Sequence, residues 1–124
     1  MEYSNTFCSI YQTFFNKGVI LRSKRSKATD IPMSVKKKVW ERDRHHCIYC
    51  GSPYAMPNAH YLSRAHGGLG IEENIVTLCQ RCHHNFDNGK SKELKDAIKR
   101  KIEAHLRRFY PEWSIDLITY KKRL

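Results

Sequence analysis

The stretch CIYCGSPYAMPNAHYLSRAHGGLGIEENIVTLCQRCHHNFD, from Cys47 to Asp87, decides how this chain folds. Two Cys-x-x-Cys pairs bracket it, Cys47 with Cys50 and Cys79 with Cys82, and 28 residues separate the inner cysteines. Knuckles of this kind that face each other present four thiolates in a tetrahedron, the ligand set of structural zinc. Gly51, directly after Cys50, permits the tight turn a knuckle needs. A disulfide reading is weaker, because in a reducing compartment such pairs serve metals or redox chemistry, and one redox motif does not account for two pairs. A four-cysteine site leaves no coordination position open, so the expected zinc holds the fold and performs no chemistry.

Inside the staple, Pro53 and Pro57 punctuate the approach to NAHYL, a short stretch of strand type. SRAHGGLGIEEN follows as a loop with three glycines, and IVTL is a β-branched run suited to a second strand pairing antiparallel with the first. CQRCHHNFDNG then fits a short helix closed at Asn88-Gly89. The order is strand, loop, strand, helix. It brings His60, Asn74 and His83 to one side.

The flanks are basic and the centre is not. The formal net charge is +11 and the pI is about 9.6, which points to a polyanionic partner. Residues 22–44 carry nine basic and three acidic side chains, residues 90–123 eleven and five, whereas residues 45–89 carry two and three. Residues 3–21 place aromatic and aliphatic side chains at three- and four-residue steps, which favours a helix docking on the core. RSKRSKATD, by contrast, is small, basic and unpatterned, and reads as a linker or arm. Ser34 is a natural N-cap for VKKKVWERD, whose Val35, Val39 and Trp40 share one stripe and leave Lys36, Lys37, Lys38 and Arg42 on a basic face. The C-terminal helix puts Leu94, Ala97, Ile98, Ile102, Leu106 and Phe109 on one stripe and ends at Pro111, after which the tail with Trp113 folds back. His45, His46 and His105 are expected as surface or packed histidines and not as ligands. Cys8, the fifth cysteine, is expected to be a buried apolar residue or a free thiol. No run approaches the roughly 20 apolar residues of a membrane span, and the N-terminus lacks a signal-peptide pattern. A cytoplasmic, soluble protein is the expectation, with oligomeric state left open.

These residues resemble the HNH endonucleases. The frame NAHYLSRAHGGLGIEENIVTLCQRCH, with His60 ending the first strand, Asn74 before the second and His83 in the helix, is similar to that family's core over roughly residues 32–89. The DIP…VKKKVW start and the FYPEW…LITYKK tail look like its small phage-type members. The resemblance implies an α+β fold, a small zinc-stapled ββα-metal core with flanking helices. Its domains would be a 1–30 extension and basic linker, a 31–89 nuclease core, and a 90–124 amphipathic helix and tail. It implies a metal-dependent DNA endonuclease acting in a bacterial or phage-infected cell, with phage packaging or other DNA-processing proteins as company. His60 would be the general base, Asn74 would fix the loop and orient His60, and His83 would ligate one divalent cation such as magnesium or manganese. Arg64 and the Gly67-Gly68 turn lie where the DNA backbone could approach. Lys36, Lys37, Lys38 and Arg42 are the further expected DNA contacts.

One departure stands out. Many members carry an acidic or other ligand immediately before the base histidine, and here that residue is Ala59. A second ligand must come from elsewhere. Asp87, four residues after His83 on the same helical face, is the best placed, with His84 and His66 behind it. Two other readings compete. One is a catalytically inactive, zinc-stabilised nucleic-acid-binding module, and the other is a structural zinc domain that recruits a protein partner.

Overall fold

A computed structural model describes residues 23–122. The helix expected within residues 3–21 and the unpaired Cys8 lie outside the described residues. The order is α1 (Lys24–Thr29), α2 (Met33–Arg42), β1 (Ala55–His60), a 3-10 turn (Arg64–His66), β2 (Ile75–Cys79), α3 (Gln80–Asp87) and α4 (Lys92–Phe109). The fold class is α+β, as the strand–loop–strand–helix pattern implied.

β1 and β2 pair antiparallel, with His60 opposite Ile75, Ala59 opposite Val76 and Ala55 opposite Cys79. The register shifts between Met56 and Ala59, at Pro57, whose ring nitrogen has no proton to donate to the ladder. β2 is buried along its whole length, which is why its sequence is a continuous apolar run and not an alternating one. α2 packs on both strands, α3 on the hairpin and α4 on α3. Ser91 caps α4, its Oγ accepting from the Leu94 amide at 3.2 Å. Ile98, Ile102 and Leu106 of its apolar stripe are fully buried. The tail does fold back: Trp113 is buried and its indole donates to the Glu73 carbonyl at 2.7 Å.

Three expectations are corrected. The supposed linker contains α1. Its Ser23 side chain caps the Ser26 amide at 3.1 Å, and its end is docked where the Gly70 amide donates to the Ala28 carbonyl at 2.9 Å. A Cβ at Gly70 would sit 1.7 Å from the Asp30 carbonyl oxygen, so the backbone approaches more closely than any other residue allows. Tertiary docking, not residue propensity, makes this helix. Next, α2 begins at Met33 with Pro32 before it and no side-chain cap, so Ser34 sits inside the first turn. Finally, Lys36 and Arg42 are not on an exposed face. Lys36 is 7% exposed, and burial lowers its ammonium pKa to about 8.

Arg42 is committed to the core. Its side chain is 8% exposed and grips the fully buried Asp43 carboxylate through Nε at 2.8 Å and Nη2 at 3.1 Å. The remaining guanidinium protons reach the Glu72 and Ile75 carbonyls, both at 2.7 Å, and the Tyr110 hydroxyl at 3.2 Å. Asp43 also accepts from the His105 Nε2 at 2.7 Å and the Thr77 amide at 2.8 Å. Burial alone would raise the Asp43 pKa, but the hydrogen bonds from His105 and Arg42 more than offset it and hold the group ionised. This cluster locks α2, β2 and α4 together. Breaking one partner of such a buried pair costs about 3–5 kcal/mol.

After Arg42 the chain turns through Asp43, Arg44 and His45. The His45 amide reaches the Trp40 carbonyl and the Arg44 amide the Glu41 carbonyl, both at 3.1 Å. That pair of bonds is a Schellman helix end with Arg44 at the position where glycine is the usual residue. Arg44 and His45 have φ of 56° and 61°, and left-handed backbone costs a side-chain-bearing residue about 1–2 kcal/mol.

Candidate active site

The two knuckles meet. All four cysteine Sγ atoms lie within 4.8 Å of one another, and Cys50 Sγ is 3.6 Å from Cys79 Sγ. Zinc–sulfur bonds of about 2.3 Å at tetrahedral angles set sulfurs roughly 3.8 Å apart, so the donors suit that ion. The first knuckle is shaped by the Gly51 amide bonding back to the Cys47 carbonyl at 2.9 Å, with Gly51 at φ 81°. It is fastened to β2 by the Ile48 amide and the Thr77 carbonyl at 3.0 Å. In the second, Cys79 caps α3, its Sγ accepting from the Cys82 amide at 3.4 Å. Burial, and then the neighbouring thiols, push the Cys82 thiol well up. A cation bound there would let the Cys82 sulfur ionise.

His60 closes β1, half-buried. Its Nε2 lies 2.8 Å from the Thr29 carbonyl at the end of α1. A carbonyl oxygen only accepts, so Nε2 carries the proton and Nδ1 keeps the lone pair. Burial lowers the His60 pKa, with Arg64 and His83 acting in the same direction against the Thr29 hydrogen bond and Asp87. The ring is thus neutral at neutral pH, the state a general base requires.

Asn74 is fully buried and closes the glycine loop. Its Oδ1 accepts from the Leu62 amide at 2.8 Å, and its Nδ2 donates to the Leu62 and Leu69 carbonyls at 3.1 and 2.8 Å. Gly68 makes room for it, since a Cβ there would stand 2.9 Å from Asn74 Nδ2 and 1.7 Å from the Leu62 oxygen. The Asn74 side chain thus bonds to Leu62 and Leu69 and not to His60, whose ring is oriented instead by the hydrogen bond its Nε2 donates to the Thr29 carbonyl. Asn74→Ala is expected to lower stability by about 2–4 kcal/mol, because Leu62 and Leu69 lose buried partners. A urea titration with unchanged midpoint would count against this role.

On α3 the His83 Nε2 and Asp87 Oδ2 are 2.9 Å apart, both partly exposed. Adjacent ligands of an octahedral magnesium at about 2.1 Å stand roughly 3 Å apart, so these two atoms could share one cation. Among the described residues the only group of three or more candidate metal ligands is the four-cysteine cluster. Ala59 is fully buried in the core. His84 is exposed on α3, and His66 is occupied with the Ser63 hydroxyl at 2.6 Å. Arg64, about half-exposed, pairs with Asp30 at 2.6 Å, beside the α1 end that holds His60. Lys37 and Lys38 are exposed on α2.

Sequence reasoning missed Thr29 and Asp30. A main-chain carbonyl leaves no mark on residue type. The one available signal was Gly70, whose lack of a side chain admits the α1 end.

The HNH endonuclease family model matches residues 47–89. A search of curated proteins gives no match. Among solved structures, the chain is similar to the Type IV phosphorothioation-dependent restriction endonuclease ScoMcrA, with a TM-score of 0.51 and 22% identity over 72% of this chain. It spans 21% of that protein's length, and the likeness is one of fold. The staple, the hairpin and the helix that carry His60, Asn74 and His83 are the part of the chain that matches the HNH endonuclease model.

Proposed function

We propose that this chain is a metal-dependent DNA endonuclease in which His60 Nδ1 is the general base. The observation that carries the reading is the 2.8 Å hydrogen bond from His60 Nε2 to the Thr29 carbonyl, which fixes the tautomer and leaves Nδ1 free, in a ring near the His83–Asp87 pair. Nδ1 takes a proton from a water whose oxygen attacks phosphorus. As that bond forms, the phosphorus–oxygen bond on the opposite side breaks, and the leaving oxygen is protonated from solvent. His83 and Asp87 would hold one divalent cation, magnesium or manganese by donor chemistry, which when bound polarises the scissile phosphate and offsets charge on the leaving oxygen. Arg64 offers its guanidinium to a neighbouring phosphate, exchanging Asp30 for it. Cys47, Cys50, Cys79 and Cys82 would hold structural zinc. Lys37 and Lys38 are the α2 side chains placed to meet DNA, whereas Arg42 and Lys36 support the fold. The phage-type resemblance makes DNA processing, packaging included, the setting. Among the described residues no helix is long and apolar enough to cross a membrane.

Incubation with supercoiled plasmid and magnesium or manganese is expected to yield open-circle or linear DNA. If no divalent ion supports conversion while duplex binding persists, the chain is a binding module. The cation should be exchangeable: brief mild chelation stops cleavage, magnesium restores it, and the cysteine-held zinc stays. Asp87→Ala is expected to raise the magnesium concentration for half-maximal rate about tenfold or more. An unchanged requirement would move the second ligand to another residue, with His84 and His66 next to test.

A further inference from the structure

We propose that the seam between the end of α2 and the C-terminal half of α4 is a second nucleic-acid contact, a phosphate-binding groove that holds the DNA backbone away from the cleavage residues. It rests on DNA being the polyanion, but not on cleavage. A cavity of about 780 Å³ opens there, and Arg44, His46, Lys101 and Arg108 stand on its walls. Its floor is the Arg42–Asp43–His105 cluster, in which the single lining carboxylate is already saturated by Arg42, His105 and the Thr77 amide. Among the described residues Arg44, Lys101 and Arg108 have no carboxylate partner. A concave surface with three unneutralised cations concentrates anions.

Arg44 supplies an independent sign. Glycine is the residue that ends a helix in this way without strain, yet the chain spends that position on an arginine with φ 56°. Strained side chains persist where they serve a ligand, and this one lines the cavity. The groove also continues. An adjoining cavity of about 560 Å³ is lined by Lys37 and Lys38 and shares Arg42 and Phe109 with the first. Phe109, expected in the core, is 41% exposed and forms the common wall. The carboxylates on that side are engaged, Glu41 with His45 at 3.0 Å and Glu72 with Lys38 at 3.8 Å. A basic hollow that continues into one carrying Lys37 suits a run of phosphates better than one free anion.

The test is duplex binding by fluorescence anisotropy across a salt series, in a His60→Ala background without added divalent ion, so that the DNA stays intact. Arg44→Gly is expected to weaken binding about threefold to tenfold and to lower the salt slope by about one, while its melting temperature holds or rises. Lys101→Ala, on an exposed helix face, should do the same without touching the turn. The two changes combined with Arg108→Ala should lower the slope by about two to three. Unchanged affinity and slope in the triple variant overturns the proposal. So does a triple variant that loses inorganic phosphate, followed by phosphorus NMR, yet keeps duplex binding, because the groove is then a free-anion site. A wild type that binds DNA through Arg44 but never nicks plasmid leaves this proposal standing and removes the nuclease reading.

Discussion

Replacing Cys47 or Cys79 with serine is expected to unfold the domain and abolish the zinc binding proposed for the four cysteines. A structural zinc contributes an apparent 10–16 kcal/mol in small metal-stapled modules, about as much as the roughly 5–15 kcal/mol net stability of a whole domain. Both cysteines are buried, and each fastens a different part of the structure. Cys47 ends the turn that follows α2, and its knuckle is tied to β2. Cys79 ends β2 opposite Ala55 and caps α3. Loss of either therefore frees the hairpin that carries His60 from the helix that carries His83. Cys50→Ser and Cys82→Ser remove a ligand each and should also lose the metal. Metal content by mass spectrometry and far-ultraviolet circular dichroism would check this. A serine variant that keeps one equivalent of zinc and a native melting temperature would show that the cysteines do not hold the fold.

The parts of this fold legible in the sequence are those with strong local signals. Paired cysteines at knuckle spacing, the β-branched run Ile75–Leu78, and the three-four stripe of Ile98, Ile102 and Leu106 each state their structure within a few residues. What was not legible depends on distant partners. α1 is a small, basic segment that becomes a helix because Gly70 admits its end and the loop after β1 receives Arg25, whose guanidinium donates to the Ala65 carbonyl at 2.8 Å. Arg42 reads as one more cation on a basic helix face. Only the folded chain brings the Glu72 and Ile75 carbonyls to it, and only then does the neighbouring Asp43 lose all contact with water. Phe109 keeps the helical period of the core stripe, yet α4 ends there, beyond the layer that covers Leu106. In the candidate site, the resemblance to HNH endonucleases singled out His60, Asn74 and His83. It did not show which nitrogen of His60 is free, because that is set by a backbone oxygen 31 residues away.

His60→Ala is expected to lower plasmid cleavage by about 10²–10⁴-fold, the usual contribution of a positioned general base, and no metal concentration should restore it. The variant should remain folded and zinc-loaded, since His60 is half-buried and its Nε2 hydrogen bond reaches only the α1 end. This separates it from Asp87→Ala, which more magnesium should rescue. The pH dependence gives the sharper test. Burial lowers the His60 pKa below its ordinary 6.5, and the positive Arg64 nearby adds to the effect. A base works when deprotonated, so at saturating metal the rate should rise with pH, reach half its plateau below pH 6.5, and stay level through neutrality. The same shift bears on stability. A histidine whose folded pKa lies below its unfolded value binds fewer protons in the native state, so its neutral form favours the native state at high pH. That contribution is complete above the unfolded pKa and is lost as pH falls through the folded one. The His60→Ala variant should lose this small acid sensitivity together with its activity. Arg64→Ala should move the rate midpoint back toward 6.5 while the enzyme still cleaves, though with weaker DNA binding. A midpoint that rests above 6.5 in wild type would mean that a group other than His60 Nδ1 removes the proton.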